Sequence, residues 1–273
     1  MKVGVLHPGE MGAAIGGVLR RAAHDVVWAS TGRSAETRRR AEAAGLTDGE
    51  TAEAVARESD VILSVCPPHA AQEVARSVSR FRGVFVDANA IAPATTRAVA
   101  EEVASARFVD GGIVGSPPLE PGATRLYVSG PEAGEVARLF DGTLVDARVL
   151  SDEIGAASAM KMVYAAWTKG SAALLLAIRA VARAEGIDAA LVDEWRGSLP
   201  GLVERSEAAA RSAGRKGWRW DYEMEEIAST FASAGLPDGF HRAAAEVFRR
   251  SPRLDDATLD DVLSTLASAV ACR

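Results

Sequence analysis

The sequence predicts an α/β domain with a parallel sheet, followed by a long helix and an all-α region. Three observations carry that expectation. The first half alternates short apolar runs with amphipathic helical patterns. The second half holds helical patterns only, and a pair of glycines stands between the first strand and the first helix.

Taken in order, strands are expected at Val3–Leu6, Asp25–Trp28, Val61–Val65, Val84–Val86 and Phe108–Val109. Helices are expected between them at Met11–Arg21, Ser34–Ala44, Ala70–Val78 and Ala94–Val103. Further strands fall at Arg125–Ser129, at Thr143–Val145 and around Val149. After Ser151 the alternation stops. Ala156 to Arg183 reads as one long helix, apolar almost all round in its second half, and such a helix is usually buried between domains or subunits. Helices then follow at Ala189–Ser198, Gly201–Ser212, Trp218–Ala234, Gly239–Arg249 and Asp256–Ala271, punctuated by Pro200, Pro237 and Pro252. The expected boundary divides residues 1–152 from 153–273, with an interdomain helix over 156–183.

Composition narrows the function classes. The chain has 273 residues, of which 48% are hydrophobic and 25% charged, as in ordinary globular proteins. A net charge of −6 implies no basic face for nucleic acid. Cys66 and Cys272 make neither a disulfide framework nor a metal site, and none of the four histidines stands at ligand spacing, so no metal is expected. The N-terminus is Gly-rich and broken by Glu10, which makes a poor signal peptide. The apolar stretch Ala172–Ile178 is too short to span a bilayer. A soluble, cytoplasmic protein without membrane contact is the expectation.

The loop Gly9-Glu10-Met11-Gly12 carries the first functional signal. In a G-x-G-x-x-G turn, glycines let the backbone approach a pyrophosphate, and the helix N-terminus offers free N–H groups. Here His7 replaces the first glycine, and Pro8 removes one donor. The strand–turn–helix setting is the one the motif requires, and it defines a Rossmann domain. The second strand then discriminates between cofactors. A reader of the unphosphorylated ribose places a carboxylate at its end. Here Ser30, Thr31, Arg33 and Ser34 stand there, with Arg38 one helical turn after Ser34. An arginine would hold a 2′-phosphate that a carboxylate would repel, so NADP(H) is expected rather than NAD(H). Ser34 is equally suited to cap the next helix.

The ordered segments resemble the β-hydroxyacid dehydrogenase superfamily, related to 6-phosphogluconate and 3-hydroxyisobutyrate dehydrogenases. The resemblance is to the branch with a C-terminal domain of the DUF1932 type. The matching pieces are Gly9–Gly12, Thr31–Ser34, Val86-Asp87-Ala88-Asn89-Ala90-Ile91-Ala92-Pro93, Val109–Pro117, Ser158-Ala159-Met160-Lys161-Met162, Tyr164, Thr168-Lys169-Gly170 and Tyr222–Ala228. The resemblance implies a Rossmann domain plus a helical domain, in a homodimer with active sites where the domains meet. The implied reaction is reversible hydride transfer between nicotinamide and a small hydroxy acid or related carbonyl compound.

The resemblance makes Lys161 the catalytic acid/base. Alcohol oxidation needs a proton removed and carbonyl reduction needs one supplied, which a desolvated lysine can do. The plainer reading is a lysine snorkelling from a buried helix. At the fourth position after it the superfamily has Asn, but this chain has Ala165, so Tyr164 or Thr168 is left to orient substrate. Lys169 is either an anion contact or an exposed charge. Asp110 to Ser116 resembles the superfamily's D-x-P-V-S-G-G substrate loop, with Val114 in place of serine and Gly115 and Ser116 beside it. Val65, Cys66 and Pro67 are expected near the adenosine ribose, and Asn89 near the nicotinamide ribose or substrate. Arg215, Lys216, Trp218, Arg219 and Trp220 form a basic-aromatic cluster suited to an anion or an interface. Two other readings remain open: an imine reductase on the same scaffold, and a non-catalytic NADPH sensor.

Overall fold

The structure, a computed structural model, describes residues 1–268. The chain divides into two compact units, Met1–Met162 and the part from Val163 onward.

The first unit is an eight-stranded sheet in the order β3-β2-β1-β4-β5-β6-β7-β8. Its strands are β1 (Lys2–Val5), β2 (Asp25–Trp28), β3 (Thr47–Asp48), β4 (Val61–Ser64), β5 (Val84–Asp87), β6 (Arg107–Gly115), β7 (Thr124–Ser129) and β8 (Val145–Ser151). All neighbours run parallel except β6 and β7. The helices are α1 (Glu10–Arg21), α2 (Ala35–Ala43), α3 (Ala52–Glu58), α4 (Ala71–Ser77), α5 (Pro93–Glu102) and α6 (Ala133–Arg138).

Alternation along the strands builds two cores. Val3, Val5, Val84 and Val86 face one side, with Ile15 and Val18 of α1 and Val136 of α6. Val27, Ile62 and Phe85 face the other, with Val55, Val74 and Val99 of α3, α4 and α5. Burial on both faces explains why β4 and β5 read as continuous apolar runs.

Helix α7 (Ala156–Ala184) leaves the first unit and continues into the second, which holds α8 (Asp188–Ser198), α9 (Leu202–Ser233), α10 (Gly239–Arg250) and α11 (Leu259–Ser268). Trp195 packs with Leu175 and Val203 as a core residue. Beneath it, buried Arg179 binds Asp188 through Nε (2.5 Å) and Nη2 (2.8 Å), and Ser206 through Nη1 (2.9 Å).

Four sequence expectations need correction. The gap between Ser212 and Trp218 does not exist, because α9 is one helix across it. Gly214 is a packing glycine there, since a Cβ would strike Ala257. The short elements β3, α3 and α6 were not expected, and the two strands expected at Thr143–Val145 and around Val149 are one strand, β8, which starts at Val145. The Asp110–Ser116 loop is strand β6 up to Gly115. Of the expected last helix, residues 269–271 lie outside the described residues, as does Cys272.

Candidate active site

Strand order reverses between β1 and β4, the point at which open α/β sheets bind ligands at the strands' C-terminal ends. Helix α1 starts there. Its N-cap is Gly9, and no side chain caps its first turn. Gly12 is obligatory, because a Cβ would collide with the carbonyl oxygen of His7. Gly9 is different: a Cβ there would meet nothing within 4 Å. Met11 packs on the sheet core and Glu10 is exposed.

The β2–α2 turn lies across this loop. Arg33 reaches His7, with its Nη1 donating to Nε2 at 2.5 Å. A guanidinium only donates, so Nε2 accepts and the ring proton sits on Nδ1. Burial first, and then the Arg33 charge, push the His7 pKa down to about 4. His7 Nδ1 and Arg33 Nε are both buried without a hydrogen-bond partner. Ser30 is buried, and its carbonyl accepts from Arg38 Nη2 at 3.0 Å. Arg38 also lies 3.8 Å from Asp48 on β3, so Arg33 is the arginine left for a ligand. Ser34 caps α2, accepting from Thr37 N at 3.2 Å. Thr31 is exposed, with its N–H on the Glu50 carbonyl. A helix start with glycine as its N-cap, open space at Gly9 and unsatisfied donors on Arg33 and His7 fit the phosphates of a dinucleotide.

Val65, Cys66 and Pro67 follow β4 and are bracketed from β5. Asn89 accepts from Cys66 N at 2.6 Å and donates through Nδ2 to Asp87 (3.0 Å) and Ser64 (3.2 Å). Asn89 is therefore buried and ties the two strand ends together. Burial pushes Asp87 up to about 7 and the Cys66 thiol up to about 12, so Cys66 is no thiolate nucleophile.

Strand β6 fixes the start of α7. Asp110 is buried and accepts four hydrogen bonds: from Ser129 Oγ (3.1 Å), Gly155 N (3.0 Å), Ser158 N (2.9 Å) and Ser158 Oγ (2.6 Å). Burial raises its pKa while these donors lower it. Thr96 braces Ser158 at 2.7 Å. Lys161 lies one turn further along. Gly112 faces it so closely that a Cβ would stand 2.5 Å from the Ala157 carbonyl oxygen and 3.1 Å from Lys161 Cβ. The structure thus brings Asp110, Gly112 and Lys161 together. The ladder to β7 runs through Val114 and Gly115. Val114 is buried, Gly115 has φ +115°, and Ser116 is exposed. Asp110 and Ser158 were missed as site residues, since nothing in sequence links positions 48 apart.

In the second unit, Ala165 is buried, while Tyr164 and Thr168 are exposed. Lys169 pairs with Glu223, and its ammonium lies 5.6 Å from the Trp220 ring centroid. Lys169 and Trp220 border a cavity of about 330 Å³ that also takes in Thr168 and Arg205. Arg219 and Arg253 flank Trp218 instead. Among the described residues, no helix is long and apolar enough to cross a membrane, and no cluster of three or more His, Cys, Asp or Glu is placed to hold a metal.

Comparison with known proteins places this geometry in a class. Residues 2–90 match the family described as NADP oxidoreductase coenzyme F420-dependent, and residues 182–251 match the domain of unknown function DUF1932. A conserved protein of unknown function, described as structurally similar to 3-hydroxyacid dehydrogenases, is 26% identical, with a TM-score of 0.66 and 100% of both chains covered. The 3-hydroxyisobutyrate dehydrogenase of Mycobacterium tuberculosis, solved with L-serine, is 17% identical, with a TM-score of 0.73 over 97% of this chain and 98% of that one. A reductive aminase from Aspergillus terreus, solved with NADPH and ethyl levulinate, is 18% identical, with a TM-score of 0.57 over 98% and 99%. The fold is that of the 3-hydroxyacid dehydrogenases, and the C-terminal DUF1932 match is the one the resemblance implied.

Proposed function

We propose that this protein is an NADP(H)-dependent oxidoreductase acting on a small, anionic hydroxy acid or carbonyl compound, with Lys161 as acid/base. The observation that carries the reading is the seat of Lys161. It is held against Gly112 of β6 by a helix start tied down through Asp110, in a chain whose first loop fits a dinucleotide. The nicotinamide, when bound, supplies or accepts the hydride. The protein's own work is proton transfer and orientation. In the reducing direction the Lys161 ammonium donates a proton to the substrate oxygen; in the oxidising direction the free amine removes it. The α1 N-terminus receives the pyrophosphate, and Arg33 receives the 2′-phosphate.

A homodimer belongs to the same reading. Val163, Trp167, Leu174, Ile178 and Val181 are exposed by 52%, 68%, 61%, 37% and 62%, and their spacing puts them on one face of α7. Such a stripe suits a second copy.

The test is Lys161→Ala. Turnover is expected to fall by about two decades or more with NADPH affinity unchanged. Unchanged turnover removes the acid/base role, whereas NADPH binding without any turnover in the parent chain selects the sensor. A second reading, imine reduction, is favoured by Ala165 in place of the orienting Asn. Activity on cyclic imines but not on hydroxy acids or sugar acids selects it.

A further inference from the structure

The unexplained feature of the first loop is His7. A glycine there would leave the β1–α1 loop bare. The imidazole instead spans to the β2–α2 turn and takes one arm of Arg33, 26 residues away. We propose that His7 is a specificity-determining residue: it anchors Arg33 Nη1 so that the opposite guanidinium edge, Nε with Nη2, is presented to a ribose 2′-phosphate. This rests on the NADP(H) reading and deepens it.

The geometry supports the assignment in three ways. First, the guanidinium is a planar fork, and the edge opposite Nη1 is the one that binds phosphate with two parallel N–H bonds. Nε on that edge is buried and has no acceptor, a state that a phosphate oxygen relieves. Second, Arg33 stands on an exposed turn, whose backbone bonds (Arg33 N to the Ser30 carbonyl, 3.1 Å) fix the main chain but not the long side chain. Thr31 and Gly32 are exposed, and Gly32 has φ +74°. A long side chain on such a turn loses much rotamer freedom on binding, and an anchor made beforehand lowers that cost. Third, there is room. A Cβ on Gly9, two residues from His7, or on Gly32, next to Arg33, meets nothing within 4 Å, so both loops are open at those positions. The other arginine of the turn, Arg38, is already engaged with Ser30 and Asp48. The discrimination therefore falls on Arg33, and its aim on His7.

The experiment measures dissociation constants for NADPH and NADH by isothermal titration calorimetry. The proteins are the full chain, His7→Ala, Arg33→Ala, the double variant and His7→Asn. Arg33→Ala is expected to weaken NADPH by tenfold or more, roughly, and His7→Ala by about fivefold, with NADH within about twofold for both. In the Arg33→Ala background, His7→Ala is expected to add nothing, because the two act as one unit. His7→Asn, which keeps an acceptor, recovers part of the loss. NADH binding doubles as the control for folding. If Arg33→Ala weakens NADPH but His7→Ala does not, positioning by His7 is overturned while the cofactor reading stands. Equal losses for both cofactors, or full additivity, also overturn it. If Arg33→Ala leaves NADPH unchanged, the NADP(H) reading falls and this inference with it.

Discussion

Replacing Asp110 with alanine tests whether a single carboxylate holds the start of α7. The four donors on it differ in what they can do afterwards. Ser158 Oγ has Thr96 Oγ1 at 2.7 Å to turn to, while Ser129 Oγ keeps the bond it accepts from Ala157 N at 3.0 Å and loses the acceptor for its own proton. The N–H groups of Gly155 and Ser158 have no such alternative at a helix start. Each orphaned buried donor costs about 1–3 kcal/mol, so the pair costs about 2–6. Removing a carboxylate whose charged form burial disfavours gives part of that back. A net loss of about 3 kcal/mol is expected, a large fraction of the stability of an ordinary domain. Asp110→Asn keeps one oxygen for both N–H groups and is expected to cost only about 1 kcal/mol. Urea unfolding at pH 7, followed by circular dichroism, reads both. Turnover reads the consequence, because Lys161 is one turn beyond Ser158: Asp110→Ala lowers it with NADPH affinity intact. A loss for Asp110→Ala below about 1 kcal/mol, or equal to that for Asp110→Asn, would refute the reasoning.

Three further outcomes are expected. Gly112→Ala puts a methyl 2.5 Å from a backbone carbonyl, so it costs about 1–3 kcal/mol and at least about tenfold in turnover, whereas Gly9→Ala leaves the melting curve unchanged and weakens NADPH. Trp167→Glu, in the middle of the exposed stripe of α7, is expected to yield a monomer by light scattering at micromolar concentration while the parent chain is a dimer. Acid is expected to destabilise the first unit through His7. Its pKa falls from 6.5 to about 4 on folding, so the unfolded chain binds more protons in that window. The contribution is intact above about pH 6.5, is lost as pH falls through 4, and amounts to at most about 3 kcal/mol; His7→Ala flattens that part of the stability–pH curve. Asp87, pushed up to about 7, works in the opposite sense and favours the folded state as it protonates.

The strands that flank the strand-order reversal were legible because both their faces are buried, which writes a run such as Val61-Ile62-Leu63 in apolar letters. Helix α7 was legible from its length, 29 residues of helical pattern, although its apolar second half is not buried all round: Leu174, Ile178 and Val181 are exposed. Elements β3 and α3 were not, since two residues of edge strand and seven of helix carry too little periodicity. The glycines misled in a consistent direction. Gly111 and Gly112 suggested a loop, and Gly214 and Gly217 a break, yet each pair lies inside a regular element. A glycine needed because another backbone presses on it looks, in sequence, the same as a glycine needed for a turn. The difference lies in the partner: for Gly112 it is Ala157, and for Gly214 it is Ala257. The candidate site divides along the same line. Which residues carry charge was readable: Arg33 without a neighbouring carboxylate, and Lys161 on a long helix. How each is held was not, because the bonds that hold them span 26 residues in one case and 45 to 48 in the other. Arg38 shows the consequence. In sequence it is only a second arginine one turn after Ser34, and nothing there shows that the unexpected strand β3 brings Asp48 beside it.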